Sequence, residues 1–210
     1  MDTRVRREVS IAVMARAPEP GRAKTRLMPA LGATGAARLH AAMTRHALST
    51  IARTGLRATL WCDPGTSHPF FAECARDFGV TLRGQAQDDL GARMLGVFSD
   101  AEGPVLLMGS DCPSIDAALL CSCADSLARA EVVFLPTEDG GYGLIGLNRP
   151  IPELFSDMPW GTDAVMTTTR KLISQLRLDW LEPARIWDVD TPADLARLAE
   201  TGFPIPACED

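Results

Sequence analysis

The sequence predicts an α/β fold in three layers, a mostly parallel central sheet with helices on both faces. Three observations lead there. Short apolar runs of β type alternate with helical patterns from one end of the 210 residues to the other. Those runs are near-continuously apolar, as in SIAVMA at 10–15 and PVLLM at 104–108, which suits strands covered on both faces. Neither an internal repeat nor a linker interrupts the alternation, so one domain over 1–210 is expected.

The elements follow in chain order. Residues 10–15 make a first strand. A long helix covers 34–54, with Thr34 as its cap and Gly55 as its stop. Residues 56–62 are a second strand, 69–77 a short helix closed at Gly79, and 80–82 a short strand. Residues 90–99 are helical, 104–108 a buried strand and 114–130 a helix. Strands follow at 132–135 and, after a glycine pair, at 142–147. A helix at 163–176, a last strand at 185–189 and a final helix at 192–200 complete the chain.

Composition excludes several classes. With 46 % apolar and 23 % charged residues the chain is neither disordered nor of low complexity. No apolar run approaches the roughly 20 residues of a membrane helix. The N-terminus has basic residues, only a few apolar ones, then charge and proline, which is a poor signal peptide. A net charge of −6 argues against a nucleic-acid or anionic-membrane binder. The six cysteines have neither metal-knuckle nor CxxC spacing and read as reduced thiols in a cytoplasmic protein. Lysine is nearly absent, yet Arg16, Arg22, Lys24 and Arg26 crowd into eleven residues.

In a sheet of this kind ligands bind beyond the carboxyl ends of the strands, which directs attention to four loops. The first, residues 16–27, follows the first strand and sets Gly21 beside the cations. Backbone amides freed by glycine, with arginine and lysine side chains, make a phosphate cradle. Neither GxxxxGK[ST] nor GxGxxG is present, and a solvated basic surface is the plain alternative. The second is GSDCP, where Asp111 ends a buried strand and is suited to Mg²⁺ or Mn²⁺. It could equally cap the helix that follows. The third, DGGYG, holds Asp139, Gly140, Gly141 and Tyr142, the chain's one tyrosine. On spacing alone it is better read as a hairpin turn. The fourth is WDVDTP, in which Asp188 and Asp190 lie two apart in extended chain and so point to one side. Two such carboxylates repel unless a cation or protons sit between them. On that reading Asp111→Asn should leave the thermal midpoint unchanged or higher. Three carboxylates and a cationic cradle are the equipment of a transferase acting on phosphate esters or nucleotides.

PEPGRAKTRL, QDDLGARM, LLMGSDCP, DGGYGLIGL, PWGTD and DVDTPADL occur in this order and span nearly the whole chain. In them the sequence resembles the bacterial DUF2064 family, whose members carry glycosyltransferase labels within the nucleotide-diphospho-sugar transferase (GT-A) superfamily. It is also similar to the 2-phospho-lactate and phosphoenolpyruvate guanylyltransferases. The resemblance implies a GT-A fold and a metal-dependent glycosyl transfer from a nucleotide-sugar to a small-molecule acceptor. Its alternatives are nucleotidyl transfer from a nucleoside triphosphate to a phosphorylated small molecule, with pyrophosphate release, and nucleotide binding without turnover. It places Arg16, Gly21, Arg22, Lys24, Thr25 and Arg26 on the nucleotide, with Asp89, Gly91 and Arg93 by the base or ribose. Lys24, Arg26 and Asp111 become the catalytic set, and Asp111, Asp188 and Asp190 the ligands of Mg²⁺ or Mn²⁺. Asp139, Gly140, Gly141, Tyr142, Trp160 and Thr162 fall on the acceptor side.

Overall fold

The computed structural model describes residues 9–86 and 88–207. Seven strands are β1 (Ser10–Arg16), β2 (Arg57–Asp63), β3 (Thr81–Gly84), β4 (Val105–Met108), β5 (Val132–Pro136), β6 (Tyr142–Leu147) and β7 (Trp180–Leu181). The helices are α1 (Met28–Ala52), α2 (Pro69–Phe78), α3 (Leu90–Ser99), α4 (Ala117–Leu127), α5 (Val165–Leu176) and α6 (Pro192–Glu200).

The strands form one sheet in the order β3-β2-β1-β4-β6-β5-β7. β6 runs antiparallel to both its neighbours, and the other pairings are parallel. β2 and β3 are laid down on one side of β1, and β4 on the other. The order therefore reverses between β1 and β4, and the loops that leave their carboxyl ends part around a crevice.

The strands bury both faces, as their apolar continuity requires. Ile11, Val13 and Ala15 of β1 pack with Leu48 and Ile51 of α1, Phe71 of α2 and Leu120 and Leu127 of α4. Ala12 turns the other way, toward Val97 and Phe98 of α3 and Met166 and Ile173 of α5. A third cluster joins Leu39 and Met43 of α1 to Val189 and to Leu198 of α6. It closes the chain's last segment onto its first helix.

Several boundaries differ from the sequence reading. Gly32, at φ 68° and ψ 170°, separates a first turn at 28–31 from the body of α1, so the expected start near Thr34 marks where the continuous helix begins. α4 starts at Ala117 because Asp116 caps it, its side chain accepting from Leu119 N at 2.7 Å. The expected last strand at 185–189 reduces to one bridge, Thr137 to Ile186. The seventh strand lies earlier, at Trp180–Leu181, where Val132 and Val133 provide partners. Pro183 has no N–H to continue the ladder. Residues 137–141 are a hairpin turn between antiparallel β5 and β6, with Thr137 N bonded to Gly141 O at 3.0 Å. Among the described residues no helix is long and apolar enough to cross a membrane.

Candidate active site

A cavity of about 490 Å³ opens at the crevice. Its walls are the loop after β1, the ends of β2, β4 and β6, one side of α1 and the first turns of α3.

The loop after β1 is built on its own backbone. Arg22 N and Ala23 N both donate to Glu19 O, at 3.0 and 3.2 Å, and Ala23 and Leu27 are buried as anchors. Gly21 turns the chain at φ 80°, and Lys24 follows in the left-handed region at φ 50°. Each of the four cations meets a carboxylate. Arg16 Nε lies 3.0 Å from Asp63 Oδ2, and Arg22 Nη1 lies 3.2 Å from Glu19 Oε2. Lys24 Nζ lies 2.9 Å from Asp111 Oδ2, and Arg26 Nη1 lies 2.5 Å from Asp190 Oδ2. The side chain of Lys24 is 5 % exposed and also donates to Val189 O, whereas that of Arg26 is 71 % exposed. Within one loop the cations thus divide into a buried clamp and exposed, exchangeable groups.

Asp111 is held from both sides. Gly109 N donates to Gly143 O at 3.3 Å, and Val189 N donates to Asp111 O at 2.9 Å. Asp116, and not Asp111, caps α4. Burial pushes the Asp111 carboxyl upward, but Lys24 and His40 outweigh it and hold the carboxyl below its ordinary pKa. Asp188 behaves in the opposite way. Burial first, then Asp139 and Asp190, push its pKa up to about 6.

The expected three-carboxylate cage is not what the structure forms. Among the described residues no three Asp, Glu, His or Cys side chains gather as a metal-binding group. Asp111 is drawn to Lys24 and Asp190 to Arg26, because in each case an opposite charge is nearer than a shared cation site. This donor set fits a divalent cation that arrives with phosphate oxygens and needs only one or two carboxylates. Asp188, whose pKa is raised chiefly by burial, is not among the residues that line the cavity.

Of the other sequence candidates, Arg16, Arg22, Thr25, Arg93 and Tyr142 line the cavity. Asp89 instead caps α3, accepting from Ala92 N at 2.8 Å. Gly91 is covered: a Cβ there would strike Phe155 O and come within 3.0 Å of Trp160 Nε1. Gln87, from the same motif, lies outside the described residues. Asp139 is spent on the hairpin, its Oδ1 accepting from Thr137 Oγ1 at 2.5 Å and from Gly141 N at 3.0 Å. Gly140, at φ 92°, is pressed against the backbone of Asp163. Thr162 donates to Pro159 O at 2.8 Å within its own turn, and Trp160 meets Tyr142 edge-on at 6.3 Å.

Among the cavity residues that the sequence reading missed are His40, Asp63 and Gln85. Asp63 and Gln85 stand at the ends of β2 and β3, so the strand-end rule that found Asp111 reaches them too. His40 lies in mid-helix and gave no signal. Its Nε2 is 2.9 Å from Arg16 O, and since a carbonyl only accepts, Nε2 carries the proton. Burial, partly offset by Asp111, lowers its pKa.

A profile of DUF2064, "uncharacterized protein conserved in bacteria", matches residues 23–162. The chain belongs to the DUF2064 family. Among solved structures this family member is similar to a Desulfovibrio desulfuricans G20 protein described as a nucleotide-diphospho-sugar transferase. The identity is 30 %, the TM-score 0.83, and the match covers 93 % of this chain and 87 % of that one. CMP:2-keto-3-deoxy-manno-octonic acid synthetase, solved with CTP, matches at 14 % identity and TM-score 0.60 over 93 % of this chain and 98 % of that one. A cytidylyltransferase from Leptospira borgpetersenii matches at 16 % and 0.60, over 91 % and 84 %. The last two likenesses show the fold, that of the GT-A and nucleotidyltransferase group. No curated protein matches the chain.

Proposed function

We propose that this DUF2064 member is a cytoplasmic, one-domain glycosyltransferase that takes a sugar from a nucleoside-diphosphate sugar and passes it to a small-molecule acceptor, using Mg²⁺ or Mn²⁺. The observation that carries the reading is the meeting of the cationic loop after β1 with Asp111, Asp190 and Tyr142 around one cavity at the switch point. Likeness to the Desulfovibrio protein supports it.

On this reading the diphosphate displaces carboxylates from the loop. Arg26 and Arg22, exposed and paired only at the surface, turn to phosphate oxygens. Lys24 keeps its clamp and contributes its remaining N–H. These cations stabilise the charge that develops on the departing diphosphate. Asp111, joined by Asp190 once Arg26 has released it, would hold the divalent cation. When bound, that cation supplies charge neutralisation and alignment of the phosphates. Tyr142, which lines the cavity and meets Trp160 edge-on, would stand on the acceptor side.

Nucleotidyl transfer would use the same contacts with a nucleoside triphosphate, and binding without turnover would stop before either. Product analysis separates them. Release of nucleoside diphosphate from an NDP-sugar panel, dependent on Mg²⁺ or Mn²⁺ and lost in Arg26→Ala, is expected. Pyrophosphate release from triphosphates would replace this reading with the second, and no turnover of either panel would leave the third.

A further inference from the structure

Asp63 puts a carboxylate in the wall of a cavity that is read above as a diphosphate site, where a negative charge repels the ligand. Its partners show what it does instead. One oxygen, Oδ2, lies 3.0 Å from Arg16 Nε and 3.3 Å from Arg93 Nη2, so it sits between two guanidiniums. The Asp63 side chain is 16 % exposed, and that of Arg16 is 54 % exposed. The carboxylate is therefore the anchored member of its pair with Arg16.

The anchor is traced back through the sheet. Gln85 N donates to Cys62 O at 2.9 Å. Its side-chain Nε2 donates to Trp61 O at 2.7 Å and to Ala15 O at 3.4 Å, and its Oε1 accepts from Arg93 Nη2. Gln85 thus ties the end of β3 to β2 and β1, and it steadies the guanidinium that faces Asp63. Asp63 ends β2, in register with Arg16 at the end of β1. From there the contacts leave the sheet. Arg16 Nη1 donates to Arg22 O at 3.2 Å, and Arg16 O accepts from His40 Nε2 at 2.9 Å. Arg22 N is bonded to Glu19 O at 3.0 Å. The main chain of Arg22 is thus held at both its N–H and its carbonyl, while its exposed guanidinium pairs with Glu19 at the surface.

We infer that Asp63 is a positioning residue for the loop after β1: through Arg16 it holds the main chain at Arg22 in the shape that receives a diphosphate. The inference rests on the nucleotide reading above and adds what presets its phosphate loop. Arg16, which the sequence places on the nucleotide, then acts on the loop and not on the ligand. A loop ordered before the ligand arrives spares binding the entropy of ordering it. The task needs arginine, whose planar fork reaches Asp63 with Nε and Arg22 O with Nη1. Lysine keeps the charge but puts all its donors on one nitrogen.

Titration calorimetry in Mg²⁺ tests this, with whichever of ADP, CDP, GDP and UDP the wild type binds best, below the melting transition of each variant. Asp63→Ala should weaken binding by about threefold to tenfold, the worth of ordering one or two groups in advance. Charge alone predicts the opposite sign, since a repelling carboxylate has gone. Arg16→Lys should weaken binding by a similar factor although the charge remains. Asp63→Ala added to Arg16→Lys should cost little more, because both break one chain of contacts. Tighter or unchanged binding in Asp63→Ala, wild-type affinity in Arg16→Lys, or losses that multiply in the double variant would overturn the inference and leave the nucleotide reading standing. If Asp63→Ala does not fold, Arg16→Lys, altered at an exposed side chain, decides alone. Failure of all four diphosphates to bind the wild type would overturn both.

Discussion

Lys24 and Asp111 are each other's counter-ion: Nζ lies 2.9 Å from Oδ2, and the same ammonium donates to Val189 O. One buried nitrogen therefore fastens the loop after β1, the loop after β4 and the segment that precedes α6. This reverses the expectation for Asp111 drawn from crowded carboxylates. Its charge is balanced, so neutralising it removes a bond instead of a repulsion.

Lys24→Ala should destabilise the fold by about 2 kcal/mol, the usual worth of hydrogen bonds to a charged group, and lower the thermal midpoint by roughly 4–8 °C. Asp111→Asn should cost about 1 kcal/mol, since an amide still accepts from the ammonium. Added to Lys24→Ala, Asp111→Asn should cost almost nothing further, as expected of partners. Thermal melts of the two single variants and the double variant check this. Fully additive losses would separate the two residues.

Arg26→Ala should behave differently. Its pair with Asp190 is exposed on both sides, so stability should change by less than about 0.5 kcal/mol. Binding of a nucleoside diphosphate should weaken by about tenfold and lose part of its salt dependence, because a charge-assisted phosphate contact is gone. Titrations at two salt concentrations measure both effects. Unchanged affinity would return Arg26 to the solvated surface.

Asp188 should impose a pH dependence. Its folded pKa, about 6, lies above that of an ordinary carboxyl, so the folded state holds the proton more tightly than the unfolded chain. Stability should therefore be lost as pH rises from about 4 to 6, and the loss should then stay constant. Asp188→Asn should remove it, gaining about 1 kcal/mol at pH 7 and nothing at pH 4, after allowance for the solvent that screens a half-buried group. Melting curves of both proteins at the two pH values decide it. A gain of the same size at pH 4 would tie the effect to packing.

Tyr142→Phe separates a group kept for a ligand from one kept for the fold. The hydroxyl is buried without a partner, so removing it should leave stability unchanged or raise it by up to about 1 kcal/mol. Ligand binding should weaken at the same time. A clear loss of stability would place a bound water, and not a ligand, on that oxygen.

Most of the fold was legible because burial on both faces leaves a continuous apolar record. PVLLM could hardly be anything but a central strand, and β4 is buried along its whole length. Trp180–Leu181 was not legible, since two residues carry no period and their pairing depends on where β5 offers an edge. For the same reason residues 185–189 looked more strand-like than they are. Trp187 and Val189 are buried against α1 and α6 instead of in a ladder.

The sequence by itself determined which residue types stand at the strand ends: the four cations from the end of β1 onward, and Asp111 after β4. Strand-end position follows from local pattern, and local pattern is written in order along the chain. Only the tertiary structure decided how those charges are spent. Lys24 and Asp111 are 87 positions apart, and Arg26 and Asp190 are 164 apart, so no spacing rule relates them. Their pairing comes from the switch point, which sets the ends of β1 and β4 side by side and folds the last segment across both. At such distances electrostatics, and not sequence, assigns partners: the nearest opposite charge wins.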